Sequence, residues 1–268
     1  MIIFPNAKIN IGLNITERRA DGYHNIESVF YPLMIKDALE IIESDNLQFQ
    51  SSGIEIPGSV ISNLCLKAYS LLKNDFPQLP NVNIHLHKNI PIGAGLGGGS
   101  ADAAFFIMLI NETFKIGLDD VHMMNYARKL GADCAFFINN KPLYAFNKGD
   151  EFESVELDLA SYSLALVMPP VHVSTAQAYS GVIPSLPSAT LKELIKLPVT
   201  DWKECIRNDF EPHIFKAFPV IEKVKNALYN AGALYASMSG SGASVFGIFE
   251  STPDLSHLEG ENQVFYNL

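Results

Sequence analysis

Apolar residues recur along this chain with two periods, and each period predicts an element. Ile9, Ile11, Leu13 and Ile15 alternate with Lys8, Asn10 and Asn14, which predicts an early strand with one apolar and one polar face. Ile26, Val29, Tyr31 and Leu33 predict a second strand, and residues 39–42 and 47–49 two short ones. A helix is predicted from Ser62-Asn63-Leu64 through Leu71 and Leu72, then a strand from the alternation of Val82, Ile84 and Leu86. Ala101, Ala104, Phe105, Met108 and Leu109 fall at helical spacing, with Ser100 as the candidate N-cap. Val121, Met124, Ala127 and Leu130 predict the next helix, with Gly131 as its C′ residue. A hairpin is predicted over 142–155, and an apolar strand over 163–168 stops at Pro169-Pro170. Beyond it come short helices over 191–197 and 202–208, and two helices within 209–231 broken at Pro219. Strands at 234–238 and 244–249 flank a glycine turn, and a last helix at 253–258 precedes a last strand at 263–266. This mixed order predicts an α+β fold of two lobes, 1–160 and 161–268, with the last strand free to return to the first lobe.

Composition narrows the function classes. With 268 residues, 48% of them apolar and 18% charged, the chain has enough apolar surface for sizeable cores. A net charge of −10 argues against a grip on long nucleic acid. No apolar run approaches the ~18–20 residues of a membrane span. The first residues show no basic stretch leading into a long apolar core, so no signal peptide is expected. Cys65, Cys134 and Cys205 are scattered and odd in number, which suits reduced thiols in a cytoplasm. No residue is assigned as a metal ligand, and the oligomeric state is not legible.

The chemistry gathers at Pro91-Ile92-Gly93-Ala94-Gly95-Leu96-Gly97-Gly98-Gly99-Ser100-Ala101, where a predicted strand gives way to a helix. The first amides of a helix lack partners within it, and the helix dipole places partial positive charge there. Glycines let phosphate oxygens approach that backbone closely. The dipole contributes about 0.3–1 kcal/mol, whereas micromolar binding needs about 8, so other groups must contribute. No Lys follows the glycines, which excludes the Walker pattern. A G-x-G-x-x-G is present at Gly93, Gly95 and Gly98, but a second helix follows where a dinucleotide site needs a strand ending in an acid. A flexible linker would not separate a buried strand from an apolar helix.

The stretch resembles the phosphate loop of the GHMP small-molecule kinases, and two further motifs extend the resemblance. Pro5-x-Ala7-Lys8-Ile9-Asn10 is similar to their first motif, and Ser239-Gly240-Ser241-Gly242-Ala243 to their third. Arg19-x-Asp21-Gly22-Tyr23-His24 resembles the branch whose alcohol substrate carries a cytidine diphosphate group. The resemblance implies a ribosomal-S5-like N-terminal lobe that binds ATP, a ferredoxin-like C-terminal substrate lobe, and substrates held between them. It implies transfer of the ATP γ-phosphoryl group, with Mg²⁺, to the 2-hydroxyl of 4-diphosphocytidyl-2-C-methyl-D-erythritol on the non-mevalonate route to isoprenoid precursors. The alternatives are another alcohol, such as homoserine or mevalonate, or a nucleotide-binding relative without catalysis.

The same resemblance assigns roles. Asp133, in Gly131-x-Asp133-x-x-Phe136-Phe137, is the implied base, and Lys8 its neighbour countering charge on the transferred group. Asn10 orients substrate. Tyr23, His24 and Tyr179 select cytosine, with Tyr23 and Tyr179 closing on its two faces. Thr175 and Lys148 are also substrate candidates. Asn63 and Lys88 join the residues from Pro91 to Ala101 on the nucleotide. Most have an ordinary alternative: a helix cap for Asn63 and Asp133, solvated lysines for Lys88 and Lys148, a core aromatic for Tyr179.

Overall fold

A computed structural model describes all residues from Met1 to Leu268. The chain divides into two compact units whose segments alternate along the sequence. The first comprises Met1–Lys8, Met34–Ile92 and Gly97–Lys141; the second comprises Ile9–Leu33, Gly93–Leu96 and Pro142–Leu268. A single cut at 160/161 does not describe this division, because residues 9–33, 93–96 and 142–160 pack with the C-terminal segment.

The first unit is built on a four-stranded sheet ordered Ile2–Ile3, Ala38–Glu43, Val82–Lys88, Gln48–Gly53. The pairs are antiparallel except the last, which is parallel. Leu39, Ile41, Val82, Ile84 and Leu86 are buried at alternate positions, as the period-two pattern requires. The helix Gly98–Phe114 packs against Leu64–Asp75, Asp120–Arg128 and the sheet. Neighbours on so many sides explain why every residue from Ala101 to Ile107 is buried, where the spacing had predicted a single apolar stripe. One of those residues is Asp102.

The second unit holds two sheets. One is ordered Asn6–Arg18, His24–Lys36, Leu143–Phe146, Glu151–Ser154, and its first two strands begin or end in the other unit. The other is wholly antiparallel and ordered Tyr235–Met238, Val245–Phe249, Ser163–Met168, Gln263–Tyr266. The last strand therefore stays in the second unit, paired with Ser163–Met168, rather than returning to the first. Pro219 ends one helix and opens the next, giving Glu211–Ala217 and Pro219–Asn230. The longer of these lays Ile221, Val224 and Leu228 into a core with Val167, Met238 and Val245. The last predicted helix is a single turn, Ser256–Leu258.

Candidate active site

In the first unit the glycine stretch becomes a helix earlier than its polar residue suggested. The helix begins at Gly98 and its N-cap is Gly97, at φ 69°. Ser100 is the third helical residue and does not cap the helix. Gly97 must be a glycine on two counts: its φ is left-handed, and a Cβ there would stand 3.0 Å from Phe137 Cζ and 3.1 Å from Lys8 Cε. The Ala101 amide already donates to the Gly97 carbonyl at 2.9 Å, so the amides left without helical partners are those of Gly98, Gly99 and Ser100.

Lys8 reaches the same place. Its stem lies against Gly97, and its Nζ stands 3.2 Å from Asp133 Oδ2. The Lys8 side chain is 3% exposed and that of Asp133 33%, so the pair has one sealed and one open member. Asp133 sits in the first turn of the 3-10 helix Ala132–Ala135, whose N-cap is Gly131, so the carboxylate does not cap that helix. Gly131 itself is extended, at φ 177°, and is not the C′ residue of the preceding helix, which ends at Arg128 with Lys129 as its C-cap.

Lys88 is neither solvated nor free to meet a ligand. It is buried, ion-paired with Asp37 Oδ2 and, at 2.8 Å, with Asp102 Oδ2. Burial alone would lower its pKa, but the two carboxylates outweigh that and raise it. Asn63 caps the helix Leu64–Asp75, its Oδ1 accepting from the Cys65 amide at 2.9 Å.

In the second unit, residues 93–96 of the glycine stretch meet the third glycine motif. Ser239 Oγ donates to the Gly95 carbonyl at 2.9 Å and accepts from the Asn10 amide at 3.2 Å. A Cβ on Gly95 would stand 2.0 Å from the Ser239 carbonyl oxygen, so the two backbones touch. Asn208, which the sequence reading missed, holds this turn from behind, its Nδ2 donating to the carbonyls of Met238 at 2.8 Å and Gly240 at 2.9 Å. Within the motif, the Gly242 amide closes the turn on the Ser239 carbonyl at 2.9 Å, with Ser241 between them. Asn10 is buried and donates to Ser28 Oγ at 2.9 Å.

The aromatic residues gather in the same unit. His24 stacks on Tyr179, with ring centroids 4.8 Å apart and planes at 25°. Two rings holding a base between them stand about 7 Å apart, twice a contact distance. The observed spacing therefore leaves no slot between His24 and Tyr179. Phe210 supports Tyr179 edge-on at 4.9 Å. Burial, aided by Arg18, lowers the pKa of His24, favouring its neutral ring. Tyr23 is 64% exposed, and Lys148 Nζ lies 5.6 Å from its ring centre while pairing with Asp150 at 3.3 Å. Ser174 takes the cap of the helix Thr175–Ser180 in a capping box with Gln177, leaving Thr175 as the first helical residue.

Comparison with known proteins agrees with this geometry. Residues 63–141 match the GHMP kinases N terminal domain, and residues 190–262 match the GHMP kinases C terminal domain. The crystal structure of the Methanococcus jannaschii mevalonate kinase is 14% identical at TM-score 0.70, covering 99% of this chain and 97% of its own, which shows the shared fold. The class is thus that of the GHMP kinases. Finer comparison separates the branches. A 4-diphosphocytidyl-2-C-methyl-D-erythritol kinase of Bacteroides fragilis is 54% identical over 265 residues, 97% of this chain and 96% of the relative. One of Parabacteroides distasonis is 52% identical over 250 residues, 93% and 92% of the two chains. A crystal structure of 4-(cytidine 5'-diphospho)-2C-methyl-D-erythritol kinase superposes with TM-score 0.82 at 30% identity, covering 99% and 98%. The chain belongs to the 4-diphosphocytidyl-2-C-methyl-D-erythritol kinase family.

Proposed function

We infer that this protein transfers the γ-phosphoryl group of ATP to the 2-hydroxyl of 4-diphosphocytidyl-2-C-methyl-D-erythritol. The product is the 2-phosphate, on the non-mevalonate route to isoprenoid precursors. The observation that carries the chemistry is the Lys8–Asp133 pair, 3.2 Å apart, with the Lys8 stem against Gly97 at the head of a helix. The family relationship supports the choice of alcohol.

In this reading the amides of Gly98, Gly99 and Ser100 bind phosphate oxygens at the positive end of the helix. Asp133 takes the proton of the attacking hydroxyl as its oxygen bonds the γ-phosphorus, and the bond from that phosphorus to the bridging oxygen breaks, releasing ADP. Lys8 counters the charge on the transferred group. Charge on the triphosphate would be neutralised in part by Mg²⁺ held on its oxygens. The ring faces of Tyr23, His24 and Tyr179 offer stacking for cytosine, worth about 1–3 kcal/mol per base. Neutral His24 carries both a donor and an acceptor for the base edge. Asn10, Lys148 and Thr175 complete the substrate side, and the Ser239–Gly242 turn sets the backbone beside Gly95. The work is assigned to the cytoplasm, where free thiols such as Cys65, Cys134 and Cys205 stay reduced.

The test is a coupled assay with ATP and four alcohols: the cytidyl compound, mevalonate, homoserine and galactose. The wild type is expected to phosphorylate the first alone, and Asp133→Asn to lower kcat by about 10²–10⁴. Turnover on another alcohol but not the cytidyl one, or full activity in the Asn variant, overturns the assignment.

A further inference from the structure

We propose that Asp37, Lys88 and Asp102 are positioning residues for the nucleotide, a buried brace that holds the two flanks of the glycine loop in one register. The proposal rests on reading the chain as an ATP-dependent kinase.

Three observations carry it. First, the brace is sealed: Asp37 is 1% exposed, Lys88 3% and Asp102 4%. A lysine so enclosed, with a carboxylate on either side, is spent and cannot serve as a phosphate ligand. Second, each member holds a different piece of the first unit. Asp37 Oδ1 accepts the amides of Asn89 at 2.6 Å and Ile90 at 2.8 Å, fixing the chain as it enters the glycine stretch. Asp102, in the helix Gly98–Phe114, fixes the chain as it leaves. The Lys88 ammonium bonds both carboxylates, and it lies 3.4 Å from where a Gly98 Cβ would be, directly behind the amides assigned to phosphate. Third, the charges do not balance. Two carboxylates face one ammonium, and Asp102 Oδ1 is buried without a hydrogen-bond partner. Burial pushes the Asp102 carboxyl up, Lys88 pulls it back, and Asp37 adds to the rise. A proton on Asp102 makes the brace neutral, so that it adds no negative charge behind a triphosphate site.

Deleting Lys88 would strand two buried carboxylates and test folding more than positioning. Asp102 is the better handle. Asp102→Ala leaves a neutral Lys88–Asp37 pair and cuts only the arm to the helix. Asp102→Asn keeps an oxygen for the Lys88 ammonium and imitates the protonated carboxyl.

The experiment measures the affinity of a non-hydrolysable ATP analogue and, separately, of cytidine 5′-diphosphate, with amide hydrogen exchange over residues 101–104, the first hydrogen-bonded amides of the helix. Asp102→Ala is expected to weaken the ATP analogue about tenfold, the size of one hydrogen bond to a charged group. Cytidine diphosphate should stay within about twofold, and the 101–104 amides should exchange faster. Asp102→Asn should restore all three readouts. The brace is refuted if Asp102→Ala leaves ATP affinity and exchange unchanged, if both ligands weaken together, or if Asp102→Asn is as weak as Asp102→Ala. Failure of the chain to phosphorylate the cytidyl alcohol would overturn the substrate assignment, while these binding and exchange measurements would still judge the brace.

Discussion

Lys8 and Lys88 show how little a residue's own chemistry says about its work. Lys8 lies on the polar face of its strand, Lys88 continues the apolar face of Val82, Ile84 and Leu86, and both are buried. Lys8 pairs with one carboxylate, Asp133, that remains a third exposed and open to solvent. Lys88 pairs with two that are sealed. The site made by the first was legible, because Lys8 and Asp133 each lie in a recognisable motif. The brace made by the second was not, although it left one trace: Asp102 is the lone charge among Ala101, Ala103, Ala104, Phe105 and Phe106. A carboxylate in so apolar a stretch of helix needs a buried partner. Its environment also predicts a pH effect. The Asp102 carboxyl rises from 3.8 to about 7 in the folded protein, burial being the first cause. Between those values the folded chain holds a proton that the unfolded chain has released, so the stability Asp102 contributes falls as pH rises through about 7. Chemical denaturation from pH 5 to 8.5 should therefore show Asp102→Asn gaining stability relative to wild type as pH increases. A constant difference would show that Asp102 titrates normally.

Among the elements, the glycine stretch is the most constrained, and its constraints come from two directions. Gly97 meets Lys8 and Phe137 side chains, which can shift, whereas Gly95 meets the Ser239 carbonyl, which cannot. Gly97→Ala is expected to fold with a loss of about 1–2 kcal/mol from left-handed strain, seen by urea titration, and to disturb Lys8. Gly95→Ala should cost clearly more, because the backbones must separate; equal losses would mean that the Gly95–Ser239 contact is not tight. Asn208→Ala removes two hydrogen bonds from the buried turn and should cost about 1–3 kcal/mol, with the Ser239 and Gly242 amides, which are hydrogen-bonded within the turn, exchanging faster. An unchanged unfolding midpoint would deny Asn208 that role. The sequence pointed to the turn through its glycines. It did not point to Asn208, which lies 30 residues before the Met238 carbonyl it bonds. Helix starts were similarly mixed: Asn63 and Ser174 cap as their chemistry suggests, while at the glycine loop the helix starts two residues before Ser100, with left-handed Gly97 as its N-cap.

At the level of the whole molecule, ligand and stability are linked, since anything that binds only the folded chain raises its melting temperature. Cytidine 5′-diphosphate at a hundred times its Kd adds about 2.7 kcal/mol, which should appear as a rise of about 5–10 °C. Uridine 5′-diphosphate stacks as well but presents a different edge to His24, so its shift should be smaller; equal shifts would leave cytosine selection unexplained. No helix is long and apolar enough to cross a membrane, and the net charge of −10 concentrates interest on a few placed cations. By itself the sequence determined the strands and helices, the glycine loop, the motif residues and the family, because these depend on periodicity and on short runs of neighbouring residues. The tertiary structure alone decided which His or Tyr meets Tyr179, that Lys88 is a buried tie, and that two compact units interleave along the chain. Those outcomes depend on contacts between residues far apart in sequence, and on the burial that gives a charged side chain its partners. Local pattern carries neither.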